Sequence, residues 1–92
     1  MRSKYLICYD IRDEKRLAKV YKYMRGIGLH LQFSVFYAIL DWGELLKVKS
    51  DLDQIINDCE DDIRIYPLPS EPKVIVLGKG DKIPDGVTVF IR

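Results

Sequence analysis

Tyr5-Leu6-Ile7-Cys8-Tyr9 is an unbroken apolar run, closed by Asp10 and Ile11. A run of this length, rich in aromatic and branched side chains, predicts a central β-strand. Leu17, Val20, Tyr21 and Met24 then recur at i, i+3, i+4 and i+7, the apolar stripe of an amphipathic helix. Asp13 suits its N-cap, Glu14 its first turn, and Gly26 and Gly28 its end, which places the helix at roughly 13–26.

Residues 29–40 contain no Gly, Pro, Asn or Asp and so give no turn signal. Alternation puts Leu29, Leu31, Phe33, Val35, Tyr37 and Ile39 on one face. The other face begins polar with His30, Gln32 and Ser34 and turns apolar with Phe36, Ala38 and Leu40. One long bent strand and two short strands broken near 32–34 both fit. Asp41-Trp42-Gly43-Glu44 matches a capping box. Leu45, Val48, Leu52, Ile55 and Ile56 continue it as a second amphipathic helix to about Asn57. Asp62-Ile63-Arg64-Ile65-Tyr66 alternates as a strand, and the prolines at 67, 69 and 72 end it. Residues 73–78 read as another strand, Pro84-Asp85-Gly86 as a turn, and 87–91 as a short terminal strand.

This order predicts an α+β fold. Its simplest form is a ferredoxin-like split βαβ domain over residues 1–92, with both helices on one face of an antiparallel sheet. Strands 5–11 and 74–77 are apolar on both faces, yet the helices cover only one. An antiparallel sheet normally shows water a polar second face. A second copy of the chain is the simplest cover, so the pattern implies an isologous sheet-to-sheet homodimer. The extra C-terminal strand, 87–91, is the segment expected to reach the partner subunit.

Composition changes this picture in one respect. The chain has 92 residues, 48% hydrophobic and 32% charged, with a net charge of +1, as expected of a folded domain. No apolar run approaches the ~18 residues of a membrane span, and no signal-peptide pattern opens the chain, so a cytoplasmic protein without membrane contact is expected. The near-neutral charge conceals an asymmetry. Residues 12–25 carry six basic side chains against two acidic ones, while residues 41–62 carry eight acidic against two basic. One helix is a basic surface and the other an acidic one, although charge runs are often no more than solvated faces. Cys8, within a strand, is expected to be a small buried hydrophobe. Cys59, beside Glu60, Asp61 and Asp62, sits among charges that disfavour a thiolate.

Asp10 does not suit the end of a core strand. An ionised side chain there costs free energy unless a cation, a metal or water meets it. The basic run begins directly after it.

Tyr9-Asp10-Ile11 ending the first strand, the basic helix, Gln32-x-Ser34-Val35-Phe36, the strand 62–66 and Val76-Leu77-Gly78 stand together in order and spacing. The set resembles the CRISPR-associated protein 2 family over essentially residues 4–91. The resemblance implies a ferredoxin-like homodimer joined through sheet faces and C-terminal strands. It also implies metal-dependent phosphodiester cleavage, of single-stranded RNA and in some members of double-stranded DNA, and a part in spacer acquisition with the CRISPR integrase subunit. Asp10 matches the family's metal-binding aspartate, one from each subunit, for Mg²⁺ or another divalent cation such as Mn²⁺. Such an ion prefers one or two carboxylates, several waters and phosphate oxygens. Arg16 and Lys19 match basic positions of the first helix and, with Arg12 and Lys15 of the same run, are the expected nucleic-acid contacts. Tyr9, Ser34 and Phe36 are the weaker catalytic neighbours. Core packing is the alternative for Tyr9 and Phe36, and a hydroxyl bonded to backbone the alternative for Ser34. His30 offers a general acid or base, against a plain exposed histidine. Glu60-Asp61-Asp62 offers a cation site, against a solvated acidic loop.

Two functions from different classes fit. The first is a magnesium-dependent endonuclease. The second is a non-catalytic architectural dimer bridging integrase subunits and DNA. An RNA-recognition module is disfavoured because its Gly/aromatic strand motif is absent.

Overall fold

A computed structural model describes residues 1–77 and 86–90 of the chain. In order, the elements are β1 (Ser3–Asp10), α1 (Glu14–Arg25), β2 (Leu29–Gln32), β3 (Val35–Leu40), α2 (Trp42–Ile55), β4 (Asp62–Pro67), β5 (Lys73–Ile75) and β6 (Thr88–Phe90). The first four strands form one sheet in the order β2-β3-β1-β4. All of its pairs are antiparallel, with β1 between β3 and β4. This is the ferredoxin-like split βαβ arrangement expected from the pattern.

Local chemistry explains the element ends. The Asp13 carboxylate accepts from Arg16 N at 2.9 Å, and Gly26 caps the other end of α1. Asp41 and Glu44 close a full capping box at 2.7 and 2.9 Å. The second helix stops at Ile55, two residues short of the expected end, with Ile56 as its C-cap. The two helices are tied by the Tyr23 hydroxyl, which donates to Asp51 at 2.6 Å. Burial and that carboxylate push the phenol up to about 12.

Residues 29–40 are two strands. Ser34 sits in the connecting turn, and a register shift between His30 and Gln32 accompanies the break. The core lies between the helices and one sheet face. Tyr5, Ile7 and Tyr9 of β1, Phe36, Ala38 and Leu40 of β3, Val20 and Met24 of α1, and Val48 and Leu52 of α2 are all buried. The core side of β3 is therefore the set that begins polar in sequence, and His30 belongs to it. Its ring stacks on Phe36 with centroids 4.8 Å apart. His30 is thus a half-buried member of an aromatic cluster, not a plain exposed histidine.

Gly28 passes close to β3. A Cβ there would lie 2.6 Å from the Tyr37 carbonyl oxygen, which is backbone and cannot swing aside. Gly28→Ala should therefore cost about 1–3 kcal/mol through forced backbone shifts, read as a lower urea midpoint with an unchanged slope. An unaltered midpoint would show that the hairpin yields freely there.

Beyond the main sheet, β5 and β6 pair with each other in parallel, Val74 opposite Val89. The strand expected over 73–78 is shorter, and the terminal strand covers 88–90 of the expected 87–91. Gly78, Pro84, Asp85 and Ile91 lie outside the described residues. Gly86, the last residue of the expected turn, has φ 77°, a conformation glycine adopts without penalty. Among the described residues, no helix is long and apolar enough to cross a membrane.

Candidate metal and nucleic-acid site

Alternation along β1 sends Lys4, Leu6, Cys8 and Asp10 to the sheet face that carries no helix. Their ladder partners fix what surrounds them. Leu6 stands opposite Tyr37 and Tyr66, Cys8 opposite Val35 and Arg64, and Asp10 opposite Asp62. This open face is apolar towards its middle, where Leu29, Ile39 and Tyr66 remain exposed. It turns charged at the C-terminal end of β1. Burial pushes the Cys8 thiol up, so this cysteine is a poor nucleophile.

The Asp10 side chain is 66% exposed and lies 3.6 Å from the Arg12 guanidinium. Asp62 is 55% exposed and pairs with Arg64 at 3.0 Å. Side chains directly opposite on an antiparallel ladder are neighbours at about 5 Å, and like charges in that position repel. The pair therefore sets two carboxylates side by side in water, each matched by an arginine.

Just behind it, Asp61 is closed off from solvent. Its carboxylate accepts from Arg16 Nε at 2.8 Å and Nη2 at 3.2 Å, from Arg12 N at 2.9 Å and from Asn57 N at 2.9 Å. Arg16 also reaches Glu60 at 3.0 Å. The Arg16 bond holds the Asp61 carboxyl far below the usual carboxylate range, and the same bond raises the guanidinium. One carboxylate thus fastens the start of α1, the β1–α1 loop and the α2–β4 loop.

The expected site residues separate into groups. Asp10 and Arg12 stand together on the open face. Tyr9 points the other way, into the core, 6% exposed. Phe36 is wholly buried against it, ring centroids 6.2 Å apart, and presents no face to a base. The sheet therefore divides Tyr9 and Phe36 from Asp10, because successive strand side chains alternate. Ser34 lies in the turn after β2, where its carbonyl accepts from Tyr9 N at 3.1 Å. Of the basic residues, Lys15 and Lys19 are exposed on α1, whereas Arg16 is engaged by Asp61 and Glu60. Within the acidic run 60–62 only Asp61 is a structural fastening, while Glu60 and Asp62 keep more than half of their side chains in water. No group of three or more His, Cys, Asp or Glu side chains able to hold a metal occurs among the described residues. Asp62 was legible as strand alternation, but its position opposite Asp10 depends on the ladder register.

Comparison with known proteins gives a consistent result. The family model described as CRISPR associated protein Cas2 matches residues 3–74. A Thermodesulfovibrio yellowstonii protein named CRISPR-associated endoribonuclease Cas2 2 is 56% identical over 90 residues, covering 98% of this chain and 99% of that one. Among solved structures, a hypothetical protein from Thermus thermophilus superposes with TM-score 0.79 at 31% identity, over 87% of this chain and 95% of that one. A chain of a partial Cas6-RT-Cas1–Cas2 complex superposes with TM-score 0.66 at 30% identity, over 73% of this chain and 74% of that one.

Proposed function

Since the chain belongs to the CRISPR-associated Cas2 family, we propose that it is a divalent-metal-dependent endonuclease of CRISPR adaptation. In this reading it acts on single-stranded RNA, with double-stranded DNA as a second substrate, and works as a homodimer beside the integrase subunit. The observation that carries this reading is the placement of Asp10. A water-accessible carboxylate ends the central strand on the face without helices, opposite a second carboxylate, Asp62.

The donor set suits a hard cation. Both groups offer carboxylate oxygen, and their exposure leaves room for the waters that Mg²⁺ retains. Asp10 of each subunit would hold Mg²⁺ or Mn²⁺. The ion, when bound, polarises a phosphate oxygen and makes water a better nucleophile at neutral pH. The chain's own residues do the rest. Lys15 and Lys19 draw the phosphates to α1, and Asp61 keeps the β1–α1 loop in place through Arg12 N. The exposed apolar middle of the open face supports the dimer, because a second copy would cover Leu29, Ile39 and Tyr66.

The architectural reading keeps one observation of its own, the likeness to a chain of the Cas1–Cas2 complex. In this second reading the dimer would bridge integrase subunits and DNA without cutting. Incubating the dimer with end-labelled single-stranded RNA and double-stranded DNA, with Mg²⁺ or with chelator, separates the two. Cleavage only with the metal is expected. No cleavage of either, with nucleic-acid and integrase binding intact, would establish the architectural role instead. The same preparations test the basic face. Lys15→Glu and Lys19→Glu should each weaken binding to any sequence and flatten the salt dependence by about one unit of slope. An unchanged slope would return α1 to a merely solvated face.

A further inference from the structure

An aromatic cavity of about 390 Å³ lies between α1 and the β2–β3 hairpin, on the helix side of the sheet. Tyr9, Tyr21 and His30 wall it, Leu17 and Ala18 close one side, and Phe33 and Glu14 stand with them in the lining. Tyr21 meets His30 edge-on at 5.3 Å, and both rings rest against Phe36. The walls are thus fixed by the core. Phe33, in the hairpin, is different, with an aromatic ring left 82% exposed.

Two polar groups of the lining can meet a ligand. The Tyr9 hydroxyl is buried and has no hydrogen-bond partner, although the residue is 94% enclosed. An unmade bond of that kind is costly to keep. The Glu14 carboxylate, exposed on the first turn of α1 at the mouth of the cavity, can accept from a ring N–H or an amine. Cations continue the same face of the helix. Arg25 lies one turn beyond Tyr21, its guanidinium 5.5 Å from that ring's centroid, and Lys22 lies one turn beyond Ala18.

We propose that this cavity takes one unpaired nucleobase of a bound single strand, whose phosphates run past Lys22 and Arg25. The proposal deepens the nucleic-acid reading above and rests on it. A base brings a flat face for the aromatic walls and for Phe33. Its hydrogen-bonding edge answers Tyr9 and Glu14, and its attached phosphate answers the two cations. An apolar side chain of a partner protein would match the walls but leave the buried Tyr9 hydroxyl without a bond and make no use of the cations beside the cavity. The cavity reads a strand that is not paired, since a base inside a duplex cannot enter it.

A short single-stranded oligoribonucleotide carrying one 2-aminopurine reports entry directly, through quenching of its fluorescence by stacking. Wild type should quench it and bind it more tightly than the same strand with an abasic site there. Phe33→Ala, a change at an exposed side chain, should weaken binding about tenfold and erase that difference. Tyr9→Phe should weaken binding several-fold without lowering the melting temperature, because the hydroxyl it removes has no partner in the free protein. A side chain that served only the fold would not separate binding from stability in that way. Neither change should alter the salt slope, which Lys15→Glu and Lys19→Glu do alter. Unchanged quenching and affinity in both cavity variants, with RNA still bound, would overturn the proposal and leave the nucleic-acid reading standing. Variants that bind RNA normally but lose an integrase subunit would assign the cavity to a protein side chain and also overturn it. Failure of wild type to bind any strand would remove both readings together.

Discussion

Asp10→Asn should lower Mg²⁺-dependent cleavage of single-stranded RNA by at least about 100-fold while leaving the fold in place. Asparagine keeps the shape of the side chain and removes the charge a hard cation needs. Little packing is lost, because 66% of the side chain is in water. The Arg12 contact, at 3.6 Å on the surface, contributes little to stability. The substitution also relieves the repulsion with Asp62 across the ladder. The melting temperature in metal-free buffer should therefore hold or rise slightly. Adding Mg²⁺ should raise it for the wild type and much less for the variant, since only a bound ligand stabilises by mass action. Retained cleavage in Asp10→Asn would leave the metal-nuclease assignment without its central group and place the cutting chemistry on other residues.

The largest stability effect is expected at Asp61, not Asp10. Asp61→Ala should lower the melting temperature by about 10 °C, because it strips partners from the Arg16 guanidinium and from two main-chain N–H groups at once. Arg16→Met should cost less, since the N–H groups of Arg12 and Asn57 still have Asp61 to receive them. The carboxyl titrates far below its usual range in the folded chain. Its contribution is thus complete above the unfolded value near pH 4, and is lost as pH falls toward the folded one. The wild type should lose stability between about pH 4 and 2, and Asp61→Asn should show a flatter profile over that window. Equal melting temperatures for Asp61→Ala and Arg16→Met, or a pH profile untouched by Asp61→Asn, would refute the fastening.

Periodicity carried most of the fold. The stripe 17, 20, 21 and 24 is one face of α1, Asp13 and Asp41 cap as their types predict, and the ferredoxin-like order follows from the succession of elements. What periodicity could not place was anything set by pairing. The break at 32–34 contains no Gly, Pro, Asn or Asp, so local chemistry leaves one bent strand and two short ones both open, and the ladder with β3 decides between them. The same limit explains the site. Tyr9 and Asp10 are adjacent in sequence and lie on opposite faces of the sheet. Asp62, remote in sequence, faces Asp10, and Arg16, one of the run of basic residues, turns inward to Asp61. A charge count treats those basic side chains alike, although their surroundings give them different work.

The central position of β1 bears on how the chain comes off the ribosome. Ile7 pairs with Phe36 on one side and Ile65 on the other, so its second partner is synthesised roughly 60 residues later, about 3–12 s at ordinary elongation rates. Through that interval the central strand of the sheet is only half accommodated and offers an open edge to other nascent chains. Recovery of soluble protein from cells therefore depends on how promptly β4 arrives and docks. The connection that delivers β4 runs through Asn57 and Asp61, so the carboxylate that fastens the loops beside Asp10 arrives with the same strand.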